Sequence, residues 1–275
     1  MTTESSTEMP RNPLRVAWQE GRCTVGAWIL GTDSVMAEAL ALAGFDWVCI
    51  DLQHGWLGLE TLPEVIHAVA IAGAAPVVRV PANQLWLIGR ALDAGAYGVM
   101  VPFVDTADEA RQAVEACRYQ PYGRRSYGAF RTAPLIGGSA RNVDREVVCM
   151  AQIESRTALD NLDAICAVPG LDAIYMGPGD LALSLGLASG KDHDPKTLFA
   201  FRDTARKHGV AAGMHGESGE EGRWAVENGF ALTTAGADVD YLYQAARRAF
   251  EMAAGSDRRP TGGSGLPDRV PQLAV

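Results

Sequence analysis

Eight short, continuously apolar runs, separated by stretches with helical spacing, constrain this chain more than any other feature. Strands are expected at Thr24–Leu30, Asp46–Asp51, Pro76–Val80, Tyr97–Pro102, Val147–Ile153, Asp172–Met176, Val210–Met214 and Ala231–Thr234. An alternating strand has one wet face, whereas an unbroken apolar run is buried on both faces, as in a parallel sheet covered by helices. The segments between carry helix punctuation. Asp33 can cap Ser34–Ala43 ahead of Gly44, and Ser218 can cap a helix through Asn228 ahead of Gly229. Asp105 opens DTADEARQAVEACR, which has its acids early and Arg118 late.

Eight βα units predict a single (β/α)8 TIM barrel, an α/β fold that takes about 250 residues and suits a chain of this length. A doubly wound open sheet is the alternative, but Gly31-Thr32-Asp33 after the first strand lacks its Gly-rich turn. Residues 13–254 are assigned to the barrel. The polar residues 1–12 and the Gly- and Pro-rich residues 255–275 are read as disordered N- and C-terminal tails. Tyr119–Glu146 is expected to be a long loop before the fifth strand.

Composition excludes several functions. The 24 Lys and Arg against 33 Asp and Glu leave a net charge of -9. Nucleic acid is therefore not an expected partner, since phosphate binding needs clustered cations. No apolar run reaches the ~18 residues of a membrane helix, and MTTESSTEMPRNP has no apolar signal core. The five cysteines are scattered without metal-ligand spacing, as expected of a cytoplasmic protein. The only lysines are Lys191, Lys196 and Lys207. The first two are expected in a polar loop and the third near a helix end, away from the strand mouths. That argues against Schiff-base chemistry.

In this fold the chemistry sits at the C-terminal ends of the strands. Those ends offer His54, Arg79, Gln152, Glu154, Asp180 and His215. Glu154 and Asp180 follow adjacent strands and can hold Mg²⁺ or Mn²⁺, or simply cap the helices they precede. His54 suits a general base or a rim residue. Arg79 could face an oxyanion or pair internally with Asp51. Gly177-Pro178-Gly179 turns the chain before Asp180, where free amides favour a carboxylate or phosphate. Asp93 reads as a surface acid. His193 reads as solvated, and the role of His215 stays open. The loop Tyr122–Gly128 carries Arg124 and Arg125, with Arg131 just beyond it, and could greet an anion at the rim or merely solvate a turn.

FDWVCIDLQHG, PVVRV, ALDAGAYGVMVPFVDTADEA, RYQPYGRRSYG, AQIES and GPGDLALSLG together resemble the HpcH/HpaI aldolase family, from Val25 to Met252. The resemblance implies a class II, divalent-metal-dependent pyruvate aldolase acting on 4-hydroxy-2-oxo or 2-keto-3-deoxy acids, with an aldehyde as the second partner. It implies Glu154 and Asp180 as ligands of Mg²⁺, Mn²⁺ or Co²⁺. It also implies His54 as the base with Asp93 as its partner, Arg79 on the pyruvate oxygen, and Gln152 lining the site. The amides of Gly177, Pro178, Gly179 and Asp180 form the expected carboxylate cradle. A hexamer, a trimer of dimers with the last helix packed on a neighbour, is implied as well. Gln53 and Gly179 stand where some relatives carry Glu and Ala. The alternatives are a CoA-thioester lyase of the malyl-CoA or citrate lyase β type, and a non-catalytic keto-acid-binding barrel.

Overall fold

The computed structural model describes residues 11–254 except 129 and 137. Its strands are β1 (Thr24–Ile29), β2 (Trp47–Asp51), β3 (Ala75–Arg79), β4 (Gly98–Val101), β5 (Val148–Ile153), β6 (Ala173–Met176), β7 (Ala211–Met214) and β8 (Leu232–Ala237). Each strand pairs in parallel with its sequence neighbours, and β8 returns to β1 to close the barrel. The expected (β/α)8 architecture is present, with strand ends within a residue of expectation except at β8. There an extra residue is inserted: Gly26 pairs with Thr234 but Trp28 pairs with Ala237. Gly236, at φ +128°, accommodates this bulge, so the strand runs on to Ala237.

The helices are α1 (Pro13–Gln19), α2 (Ser34–Leu42), α3 (Leu62–Ile71), α4 (Leu85–Asp93), α5 (Ala107–Cys117), α6 (Thr132–Leu135) and α7 (Ala140–Glu146). They continue with α8 (Arg156–Asp160), α9 (Leu162–Cys166), α10 (Pro178–Leu185), α11 (Pro195–Lys207), α12 (Gly219–Glu227) and α13 (Asp238–Ala254), and a 3-10 turn spans Gly190–Asp192. Asp33 caps α2 as expected, accepting from the amides of Val35 and Met36. In α5 the cap is Thr106 rather than Asp105, because Thr106 and Glu109 satisfy each other's amides in a capping box. The expected loop Tyr119–Glu146 contains α6 and α7. Among the described residues no helix is long and apolar enough to cross a membrane.

Alternation along each strand divides the side chains into two sets. Val48, Ile50, Val78, Val99, Ile153 and Ile174 pack outward against the helices. Trp28, Trp47, Cys49, Val77, Met150 and Tyr175 fill the barrel. Gly213 makes room for one of these rings: a Cβ there would lie 2.5 Å from Tyr175.

Beneath the barrel, α1 adds Leu14 to the interior cluster. Asn12, placed in the N-terminal tail by its polarity, is fully buried. Its side chain accepts the Leu14 amide at 3.1 Å and donates to the carbonyls of Tyr97 at 2.8 Å and Glu146 at 2.9 Å. Arg11 of the expected N-terminal tail is exposed and donates to Gln19 Oε1 at 2.7 Å, and residues 1–10 and the whole expected C-terminal tail lie outside the described residues. Asn12→Ala removes a cap and two side-chain hydrogen bonds, although the Tyr97 and Glu146 carbonyls keep the Val148 amide and Arg15 Nε as donors, so urea unfolding should register a loss of about 1–2 kcal/mol.

Candidate active site

The inward parity that carries Trp47 and Cys49 into the barrel also points Asp51 inward. By the same alternation, Ala75 and Val77 lead to Arg79, Val148 and Met150 lead to Gln152 and Glu154, and Gly213 leads to His215. All five polar side chains are buried. The β2–β3 register sets Asp51 beside Arg79. The carboxylate accepts from Nε at 2.9 Å and from Nη2 at 2.6 Å. The guanidinium also lies over the Trp28 ring, 4.4 Å from its centroid. The internal ion pair is thus made, and it uses one edge of the fork. Nη1, on the other edge, is available to a bound oxyanion.

Glu154 is not a helix cap, because Ser155 performs that task for α8. Its Oε1 accepts the Phe103 amide at 2.8 Å. Phe103 holds φ at +50°, a left-handed conformation uncommon for a non-glycine residue, and the sequence carried no signal of this role. Burial pushes the Glu154 carboxyl up to about 7, against the Phe103 amide, and the nearby Asp180 charge adds to the rise. Next to it, the buried Gln152 Oε1 has no hydrogen-bond partner among the described residues. A Cβ on Gly177 would stand 2.6 Å from Glu154 Oε2 and 2.8 Å from Gln152 Nε2, so glycine keeps this space open.

Asp180 lies in the first turn of α10 and makes no cap hydrogen bond. The expected amide cradle is narrower than Gly177–Asp180. The Gly177 amide donates to Ile153 O at 3.2 Å, and Pro178 has no N–H. Gly179 and Asp180 supply the two amides left free by helix geometry. The turn is strapped down by His193, which is buried rather than solvated, with Nε2 2.9 Å from Pro178 O.

His54, at the exposed lip, faces a cavity of about 580 Å³ together with Asp180, Lys191, His215, Glu217 and Trp224. Lys191 therefore reaches the mouth, contrary to the expectation from its polar loop. It is paired with Glu221 at 3.1 Å and Glu217 at 3.2 Å. The Glu221 hydrogen bond raises its pKa further, so it stays an ammonium ion and is no Schiff-base amine.

Two expectations concerning charge at the rim change. Asp93 ends α4, so it lies at the N-terminal end of the strands, across the barrel from His54. Its carboxylate accepts from Arg125 Nη2 at 2.8 Å. The basic loop runs from a helix to the next strand, which places it at that same end and not at the mouth. Arg125 is buried over the Tyr119 ring, and Arg131 contacts His67. A larger cavity of about 650 Å³ opens at this end as well. Its arginines are already engaged, Arg15 by Asp172, Arg22 by Asp46, Arg202 by Asp203 and Arg206 by the Gly229 carbonyl.

The Glu154 shift has a measurable sign. A carboxyl whose folded pKa exceeds its unfolded value stabilises the fold at low pH and loses that contribution as pH rises through about 7. Glu154→Gln cannot ionise. Urea unfolding in EDTA should show its stability relative to wild type improving by about 2 kcal/mol between about pH 5 and about pH 8.

Several known proteins are similar to this chain. The model of the family "HpcH/HpaI aldolase/citrate lyase" matches residues 24–243. The 2-dehydro-3,6-dideoxy-6-sulfogluconate aldolase of Pseudomonas putida is 38% identical over 221 residues, covering 78% of this chain and 86% of that one. The hydroxypyruvate/pyruvate aldolase of Rhizorhabdus wittichii is 36% identical over 242 residues, covering 86% and 96%. A crystal structure of an HpcH/HpaI aldolase/citrate lyase family protein from Burkholderia cenocepacia superposes with a TM-score of 0.80 at 32% identity, over 89% of this chain and 100% of that one. By the family model and these relatives, the chain belongs to the HpcH/HpaI aldolase/citrate lyase family and is a carbon–carbon lyase of the class II aldolase type.

Proposed function

We propose that this aldolase takes pyruvate as its enolate donor and an aldehyde as its acceptor, acting on a 4-hydroxy-2-oxo or 2-keto-3-deoxy acid. The observation that carries the reading is one mouth holding a buried guanidinium, two acids, an unpartnered amide oxygen and two free backbone amides. The donor set of Glu154, Asp180 and Gln152 Oε1 is all oxygen, which fits a hard divalent cation. Among the described residues no three His, Cys, Asp or Glu cluster as ligands, so substrate oxygens would complete the shell. When bound, Mg²⁺ or Mn²⁺, or Co²⁺, supplies Lewis-acid stabilisation of the enolate.

The chain's own residues account for the rest. The amides of Gly179 and Asp180 hold the pyruvate carboxylate at the start of α10. Arg79, fixed by Asp51, turns its free edge to the enolate oxygen, a contribution of about 3 kcal/mol by comparison with oxyanion-hole donors. In cleavage His54 takes the proton of the C4 hydroxyl. The C3–C4 bond breaks, its electrons pass into the enolate, and C4 leaves as the aldehyde. In synthesis the enolate attacks the aldehyde and His54 returns the proton.

The proposal extends to a homo-hexamer, a trimer of dimers. Exposed Leu242, Tyr243, Phe250 and Met252 on α13 support it, since an apolar helix face in water favours a partner. In that assembly the Asp93 that orients His54 would come from a neighbouring copy, its own lying across the barrel. A reducing, cytoplasmic setting agrees with five free cysteines. Within one chain, the basic loop that the CoA-thioester alternative needs lies at the other end, with Arg125 and Arg131 engaged.

Glu154→Ala and Asp180→Ala should abolish metal-dependent cleavage, and His54→Ala should lower turnover by about 10² to 10⁴ while pyruvate still binds. EDTA-insensitive turnover in either carboxylate variant contradicts the assignment.

A further inference from the structure

His215 belongs to none of the steps above, yet it is buried and held on one edge by two neighbours. It follows β7 and is 5% exposed. The Trp28 indole, which can only donate, gives its N–H to His215 Nδ1 at 3.0 Å. That contact fixes the tautomer: Nδ1 carries the lone pair and Nε2 carries the hydrogen. Thr234 holds the same edge, with Oγ1 3.4 Å from Nδ1. The threonine hydroxyl is itself anchored, accepting the Gly216 amide at 3.1 Å and lying 3.0 Å from the Tyr175 hydroxyl. Nε2 has no partner among the described residues.

The 580 Å³ cavity says what Nε2–H could meet. Its lining includes His54, Asp180 and His215 but not Arg79, Gln152 or Glu154. If the enolate sits among the latter three, the cavity receives the aldehyde-derived half. Resting on the aldolase reading, we propose that His215 determines specificity by donating Nε2–H to an oxygen substituent on that half, selecting hydroxylated over apolar aldehydes. A purely apolar aldehyde would bury this N–H without a partner, whereas a hydroxyl would satisfy it. His215 does not duplicate His54. Burial, with Arg79 nearby, pushes it down to about 4, so it is a neutral donor and a poor base.

The test compares glyceraldehyde with propanal, which has the same carbon number, as acceptors for pyruvate with the holoenzyme. Wild type should favour glyceraldehyde. His215→Leu should lower the ratio of the two kcat/KM values by about 10- to 100-fold, mainly through KM for glyceraldehyde. His215→Gln, which returns an N–H at similar reach, should recover part of the ratio. An unchanged ratio, or equal losses with both aldehydes, overturns the proposal. So do nitrogen-15 spectra that place the His215 ring proton on Nδ1. Should wild type add neither aldehyde to pyruvate, the aldolase reading falls and takes this inference with it. Equal use of both aldehydes overturns the inference alone.

Discussion

The buried pair between Asp51 and Arg79 is the contact on which the site depends. It exists because β2 and β3 align these residues at their last paired position. Breaking such a pair by removing one partner costs about 3–5 kcal/mol, since the survivor stays charged in a dry interior. Arg79 in turn covers Trp28, and Trp28 fixes His215, which shares Thr234 with Tyr175. One run of contacts therefore joins strands on opposite sides of the barrel. The guanidinium and the imidazole are held in place before any ligand arrives, as electrostatic stabilisation requires.

The two ends of the barrel handle charge differently. At the N-terminal end, carboxylates and guanidiniums pair: Arg15 and Arg118 share Asp172, and Arg125 takes Asp93, while Arg118 Nη1 and Arg125 Nε and Nη1 keep no partner among the described residues. At the C-terminal end, balance is left incomplete. Glu154 uses one oxygen on Phe103, Gln152 Oε1 has no partner among the described residues, and the Gly179 and Asp180 amides point outward from α10. What sets the mouth apart is the kind of group left open there, acids and an amide oxygen that suit a cation beside backbone amides that suit an anion.

The barrel was legible because burial on both faces leaves a local trace, an unbroken apolar run, in every strand. The polar residues at the strand ends followed from the same reading. Contacts set by long-range geometry left no such trace. Asp238 accepts the amides of Leu30 and Gly31 from the far end of the chain, and Asn12 locks to Glu146. Lys191 looked remote from the mouth because its loop is polar, yet the 3-10 turn carries it to Glu217 and Glu221. Arg125 looked like a rim cation because charge density says nothing about which end of the barrel a loop occupies. The strand order does say this: a segment leading from a helix into a strand lies at the N-terminal end.

The central claim is that this mouth makes an enolate from pyruvate. Metal-stripped protein is incubated with pyruvate in D₂O, and the methyl resonance is followed by NMR with and without Mg²⁺ or Mn²⁺. The account predicts deuterium entry at the methyl group only when the cation is present. No exchange, with cation binding verified by calorimetry, would contradict it.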